Sequence, residues 1–121
     1  MTAMWKAALA ARWDGLPVWF HGDLAPGNLL VDASGRLCAV IDFGQFGVGD
    51  PACDLTIAWT LLRGWAREAF RAAMAIDKPL WVRGRGWALW KALSNIMAGD
   101  ADAYFIDQSY EVLRELQVMP G

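Results

Sequence analysis

Three polar side chains in the first third of the chain have the types and spacing of a small catalytic site. Asp23 follows an apolar run, Asn28 comes five residues later, and Asp42 ends a second apolar run at residues 37–41. An aspartate can accept the proton of a substrate hydroxyl. Amide and carboxylate oxygens are hard ligands of the kind that Mg²⁺ prefers, together with phosphates and water. The pattern therefore predicts a base at Asp23 and a sparse magnesium site at Asn28 and Asp42.

A short hairpin is the element that must position the two metal-binding side chains. Residues 29–31 and 37–41 read as apolar strands, and residues 32–35 have the composition of a tight turn. Asn28 would begin the first strand and Asp42 would follow the second. Because an antiparallel hairpin brings those two ends together, we expect the two side chains to be neighbours.

Three other polar residues have candidate supporting roles. His21 is the single histidine of the chain, and we favour a packing and hydrogen-bonding role in the loop over a catalytic one. Asp50 and Pro51 fit the N-cap and first position of a helix. Asp54 lies in an apolar helix, where a buried carboxylate needs partners. We hypothesise that Asp54 accepts hydrogen bonds from the backbone around His21; the alternative is an exposed charge at the start of a helix.

Apolar periodicity predicts that most of the remaining chain is helical, which gives a mainly α single domain with a small antiparallel β-hairpin region, of the α+β class. In the third helix we expect Trp65 to face inward and Arg67 outward. Gly84 and Gly86 would allow close helix contact in the fourth helix. The tryptophans read mainly as core. The predicted helices are 2–13, 50–62, 65–75, 80–98 and 102–118, with a buried strand at 16–20 and a glycine-rich connection at 44–49.

Composition limits the classes of function. The net charge is −2 and the pI about 5.2, which does not favour nucleic acid as a partner. No apolar run reaches the roughly 18 residues of a membrane span, and no signal peptide is evident, so we expect a cytoplasmic protein. Cys38 and Cys53 are interpreted as buried free thiols. Eight tryptophans and a mean hydropathy of +0.24 indicate either an aromatic-rich core or an apolar surface covered by a homodimer partner or a missing lobe.

Three motifs resemble the aminoglycoside phosphotransferase family, which has a protein-kinase-like fold. They are residues 18–30, 40–44 and 47–55, and they occur in the family's order and spacing. The interval from Asp23 to Asn28 is also that of a protein-kinase catalytic loop, with Gly22 in place of arginine. The resemblance implies the C-terminal lobe of a kinase-like fold.

The resemblance also implies roles for individual residues. Asp23 would be the catalytic base, and Asn28 and Asp42 would hold Mg²⁺. ATP or GTP would donate the phosphate, and a hydroxyl of a small molecule would accept it. Supporting residues of the site would be His21, Asp50 and Asp54.

The chain departs from the family pattern in its nucleotide contacts. It has no glycine-rich phosphate loop, strand lysine or paired helix glutamate, and these belong to an N-terminal lobe that would precede Met1. We therefore expect residues 1–121 to be a single kinase-like catalytic lobe with the N-terminal nucleotide lobe absent. Ala25 stands where the family often has a polar or aromatic residue. The short interval from Gly44 to Pro51 leaves no room for an activation segment, so a protein substrate is not expected.

These observations favour a small-molecule kinase lobe that transfers a γ-phosphate to a hydroxyl acceptor. Two alternatives stay open. One is a non-catalytic lobe that acts as an oligomerising or binding module, and the other is a Mg²⁺-dependent phosphohydrolase that uses the same carboxylates on water.

Overall fold

The computed structural model describes residues 1–99 and 101–118. It is mostly helical with two small antiparallel sheets, which confirms the predicted α+β class. The described residues include two 3₁₀ segments, Pro26–Asn28 and Pro51–Thr56. The other elements are α1 (Thr2–Ala10), β1 (Val18–Phe20), β2 (Leu29–Val31), β3 (Leu37–Val40), β4 (Gly47–Gly49), α2 (Ile57–Thr60), α3 (Gly64–Ala73), α4 (Lys78–Met97) and α5 (Ala103–Val118).

The hairpin β2–β3 forms as predicted, and a second sheet was not anticipated. In the hairpin Leu29 pairs with Val40. In the second sheet β1 pairs with β4, a segment that we had interpreted as a connection. A strand made of Gly-Val-Gly carries too little side-chain pattern to be recognised. A Cβ on Gly47 would lie 2.6 Å from the ring of Phe20, so glycine here leaves room for that ring.

The core lies between the Pro51–Thr56 segment, α2, α4 and α5. Trp59 and Trp81 are buried and tilted against each other, with ring centroids 4.6 Å apart. The expectation that tryptophans are mainly core residues is wrong for much of the set. The exposed tryptophans are Trp5, Trp19, Trp65, Trp87 and Trp90.

Two glycines of α4 allow the close helix contact that the sequence indicated. A Cβ on Gly84 would lie 2.7 Å from the Cβ of Leu55, and one on Gly86 would lie 2.4 Å from the Cβ of Ala8. These separations are below normal contact, so α4 packs directly against the segment before α2 and against α1.

Several predicted boundaries and faces differ from the structure. The first helix ends at Ala10, not residue 13, and the central helix begins as 3₁₀ rather than α. The strand at Val18–Phe20 is largely exposed, not buried. Among the described residues, no helix is both long and apolar enough to span a membrane.

The orientation predicted for α3 is wrong. Trp65 is 84% exposed, whereas Arg67 is buried. The Arg67 guanidinium donates to the carbonyls of Ala58 at 2.6 Å and Leu62 at 3.0 Å, and it pairs with Glu115 at 2.7 Å. Arg67 faces inward because it donates hydrogen bonds to the carbonyls at the end of a short helix. Helical periodicity does not predict contacts of this kind.

Candidate active site

His21 links the loop that carries Asp23 to the end of β3. Its Nδ1 accepts a hydrogen bond from the Asp23 amide at 3.1 Å. The proton therefore resides on Nε2, which donates to the Ile41 carbonyl at 2.8 Å. The buried ring also packs on Phe43, with centroids 4.6 Å apart. These are the packing and hydrogen-bonding contacts expected for this histidine.

Asp54 fixes the backbone of the same loop. Its carboxylate accepts hydrogen bonds from the amides of His21 at 2.8 Å and Gly22 at 2.9 Å. The hydrogen bonds predicted from the sequence are therefore present. Gly22 has a φ of +90°, and a Cβ there would lie 2.1 Å from the Gln45 carbonyl oxygen, so the loop accepts only glycine at this position.

Asp23 is contacted by one residue that the sequence indicated and by one that it did not. The Asn28 side-chain amide donates to the Asp23 carbonyl at 2.8 Å and lies 3.4 Å from Oδ2. Lys91 Nζ forms an ion pair with Asp23 Oδ1 at 3.1 Å. Lys91 comes from α4, 68 residues further along the chain. Its one signal in the sequence is a lysine inside an apolar helical stretch.

The hairpin register places Asn28 and Asp42 at one end of β2 and β3. The Ile41 amide donates to the Asn28 carbonyl at 2.9 Å, and Asp42 is the next residue. Asp42 is exposed and adopts a φ of +61°, a conformation that aspartate tolerates better than most residues. Its carboxylate forms no hydrogen bond or ion pair with any described residue. It therefore stays available for an external partner.

The donor chemistry at this end of the hairpin fits Mg²⁺. Asn28 commits its Nδ2 to Asp23, which leaves its Oδ1 for a cation, and Asp42 contributes a carboxylate. No group of three His, Cys, Asp or Glu side chains within residues 1–99 and 101–118 is arranged to hold a metal. With two protein oxygen donors, a bound cation would take its remaining ligands from water and substrate oxygens, which is how Mg²⁺ is commonly bound.

Asp50 joins the start of the central helical segment to α4. Its Oδ1 accepts from the Ala52 amide at 3.1 Å, which confirms the predicted N-cap. The same carboxylate forms a bidentate pair with Arg83, at 2.8 Å and 3.1 Å. Arg83 also donates to the Arg12 carbonyl at 2.7 Å. Sequence reasoning missed Arg83, because nothing local marks it as the partner of a residue on another element.

A cavity of about 360 Å³ opens beside Asp23. Gln45, Cys53, Trp90 and Lys91 are among its lining residues. Burial, followed by the charge of Asp54, raises the pKa of the Cys53 thiol to about 11. The prediction of two buried thiols is therefore wrong in part, because Cys53 is half-buried and Cys38 is exposed.

Comparison with known families matches residues 1–87 to the family described as "Phosphotransferase enzyme family". The chain belongs to this phosphotransferase family. Membership confirms the resemblance found in the sequence motifs, and it agrees with the kinase-like α+β fold class. It supports a phosphotransferase-like function at the level of the family.

The chain is similar over part of its length to a Bacillus subtilis (strain 168) protein named "Uncharacterized protein YcbJ". The two are 37% identical over 78 residues, which is 64% of this chain and 24% of the relative. The chain therefore spans about a quarter of that relative's length. No solved structure matches it.

Proposed function

We propose that this chain supplies the catalytic half of a cytoplasmic small-molecule kinase that transfers the γ-phosphate of ATP or GTP to a hydroxyl acceptor. The observation that carries the proposal is the setting of Asp23. Its carboxylate borders a cavity and contacts Asn28 and Lys91. Asp42, whose carboxylate has no partner among the described residues, follows the hairpin strand that pairs with the one beginning after Asn28.

Asp23 would act as the base through Oδ2. Lys91 occupies Oδ1, whereas Oδ2 has only the 3.4 Å contact from Asn28 and can accept the proton of an acceptor hydroxyl. The hydroxyl oxygen bonds to the γ-phosphorus, the bond to the bridging oxygen breaks, and the nucleoside diphosphate leaves. Asn28 and Asp42 would hold Mg²⁺, which when bound neutralises charge on the phosphates.

The supporting residues would keep these groups in place. Asp54 holds the amides of His21 and Gly22, and His21 ties that loop to the residue before Asp42. Asp50 anchors the following segment to α4 through Arg83. The remaining contacts to the nucleotide would come from a nucleotide-binding lobe or from a partner chain.

The test is Mg²⁺-dependent turnover of ATP and GTP by the whole protein across a panel of hydroxyl acceptors. We expect Asp23→Asn to abolish turnover while Mg²⁺-nucleotide still binds, and Asp42→Ala to abolish that binding in calorimetry. Asp32→Asn, on the exposed hairpin turn, serves as the control. Unchanged nucleotide binding in Asp42→Ala would count heavily against the proposal.

A non-catalytic module that assembles through an apolar face is the second candidate. Trp19 is 73% and Phe46 59% exposed, and their rings stack with centroids 5.9 Å apart. Such a face would pair two copies of the chain or pack beneath another lobe. Light scattering at micromolar concentration distinguishes these options: a homodimer that Trp19→Ser converts to a monomer favours the module, whereas a wild-type monomer removes the dimer.

A further inference from the structure

The charges around the cavity beside Asp23 limit what can bind there. Of the described residues that line it, two are charged, Asp23 and Lys91, and they neutralise each other at 3.1 Å. The wall therefore has no spare carboxylate for an ammonium group. A cationic acceptor would have to compete with Lys91 for Asp23 and lie close to a like charge, which is unfavourable in a partly desolvated site.

The aromatic part of the wall favours a ligand with apolar faces. Trp87 and Trp90 line the cavity, are 43% and 50% exposed, and meet edge to face with centroids 5.6 Å apart. An indole face is apolar and electron-rich, so it packs well against the weakly positive C–H groups of a saturated ring. These rings could contact one side of such a ligand while its other side stays polar.

The polar part of the wall suits hydroxyl groups. Gln45, Ser94 and Asn95 contribute amide and hydroxyl groups to the lining. Asn95 donates through Nδ2 to Ser109 at 3.3 Å, which leaves its carbonyl oxygen as an acceptor. Because a hydroxyl both donates and accepts, several hydroxyls on one ring can be satisfied by such a set. The volume of about 360 Å³ lies at the small end of the range for ligand pockets, about 300–1,000 Å³.

We propose that the acceptor is an uncharged sugar or a similar cyclic polyol, with Lys91 as the residue that determines specificity. One face of the ring packs on the Trp87–Trp90 pair, and one hydroxyl lies at Asp23. This inference rests on the proposed function, because that hydroxyl is the one whose oxygen bonds to the γ-phosphorus and whose proton passes to Asp23. Lys91 excludes amines by holding Asp23 and supplying the only positive charge in the described wall.

Three ligands that share one ring but differ in charge test this proposal: glucose, glucosamine and glucuronate. Binding to the whole protein is measured by ligand-observed saturation-transfer NMR and by titration. We expect wild type to bind glucose at least about fivefold more tightly than glucosamine. Lys91→Glu should reverse this order, and Lys91→Gln should give an intermediate ratio. Lys78→Glu, the same charge change at an exposed position of α4, should leave the ratio unchanged.

The stacking wall is tested separately. Trp90→Ala should weaken glucose binding roughly tenfold, whereas Trp65→Ala, an equal truncation of an exposed tryptophan on α3, should have no effect. Circular dichroism of each variant controls for folding. Tighter binding of glucosamine by wild type, no binding of any of the three, or an unchanged ratio in both Lys91 variants would overturn the inference.

Binding of Mg²⁺-ATP, measured in the same samples, separates the two proposals. Glucose binding without nucleotide binding would remove the kinase function and leave a sugar site. Nucleotide binding without glucose binding would remove the acceptor assignment alone.

Discussion

The Gln45 carbonyl oxygen occupies the space that a side chain on Gly22 would need, since a Cβ there would lie only 2.1 Å away. The obstacle is backbone, which cannot rotate aside as a side chain can. The two segments in contact are the loop before Asp23 and the loop after Asp42. Glycine at position 22 therefore allows the loop before Asp23 to lie against the loop after Asp42.

We expect Gly22→Ala to destabilise the fold by at least about 2 kcal/mol, because it adds the left-handed conformational penalty to a backbone clash. Chemical denaturation followed by tryptophan fluorescence measures the change. Gly27→Ala is the matched control, because a Cβ there meets nothing within 4 Å, and we expect a change under about 0.5 kcal/mol. Equal stabilities for the two variants would show that the loop moves aside without difficulty.

Removing the Asp54 carboxylate should destabilise the loop that it holds. Asp54→Ala leaves the amides of His21 and Gly22 without their acceptor, and hydrogen bonds to charged groups contribute about 1.5–3 kcal/mol each. We expect a loss of about 3 kcal/mol, and about half of that for Asp54→Asn, which keeps one acceptor oxygen. Asp14→Ala, at an exposed position, is the reference. The prediction fails if Asp54→Ala unfolds at the same denaturant concentration as wild type.

Two substitutions that remove the Asp42 carboxylate, to glycine and to alanine, should differ in their effect on the stability of the fold. Its φ of +61° penalises alanine but not glycine, so we expect Asp42→Gly to be about 1 kcal/mol more stable than Asp42→Ala. Both variants should lose affinity for Mg²⁺-nucleotide equally. Ala75→Gly calibrates the effect, because Ala75 has a φ of +50°. If Asp42→Ala proves the more stable, the conformation of this residue is not the one described.

The two cysteines should differ in reactivity at pH 8. The pKa of Cys53 is raised to about 11, so about one part in a thousand is thiolate at that pH. Cys38 is exposed on β3. We expect iodoacetamide to modify Cys38 first. The rate at which it modifies Cys53 should rise about tenfold for each pH unit until the pH approaches 11. Mass spectrometry of the labelled peptides measures this, with Cys38→Ser as the control; equal labelling would contradict the burial of Cys53.

The raised pKa of Cys53 also makes the stability of the fold depend on pH. The folded pKa of Cys53 lies above its unfolded value of 9.0, so the folded state holds this proton more tightly. The contribution of this proton to the free energy of unfolding is complete below pH 9, and it is lost as the pH rises towards 11. Cys53→Ala should remove this part of the alkaline destabilisation.

The hairpin half of the site could be read from the sequence because its determinants are local. Asn28 and Asp42 flank a hairpin whose strands follow directly from apolar runs, and the meeting of its two ends was predicted from the antiparallel direction of those strands. The contacts of Asp54 could also be predicted from the sequence. A carboxylate in an apolar helix requires hydrogen-bond donors, and the nearest loop supplies them.

The contacts made by α4 could not be read in the same way. Arg83 and Lys91 pair with Asp50 and Asp23, which lie 33 and 68 residues earlier. Side chains of this type occur on any solvated helix face, and only the packing of α4 across the central segment decides which carboxylate each one meets. The strand at Gly47–Gly49 was missed for a related reason, because its partner strand and not its own residues makes it a strand.

The spacing of residues along α4 has a consequence for how the site can vary. Arg83, Trp87 and Lys91 follow one another at intervals of four, so they form a single row on the helix, and that row spans the site from the Asp50 anchor to the Asp23 carboxylate. A residue inserted between Arg83 and Lys91 would turn the second half of the row by about 100° and remove Lys91 from Asp23. Point substitutions in this row would change one contact of the site at a time, whereas an insertion would break the Lys91–Asp23 pair while keeping the Arg83–Asp50 pair.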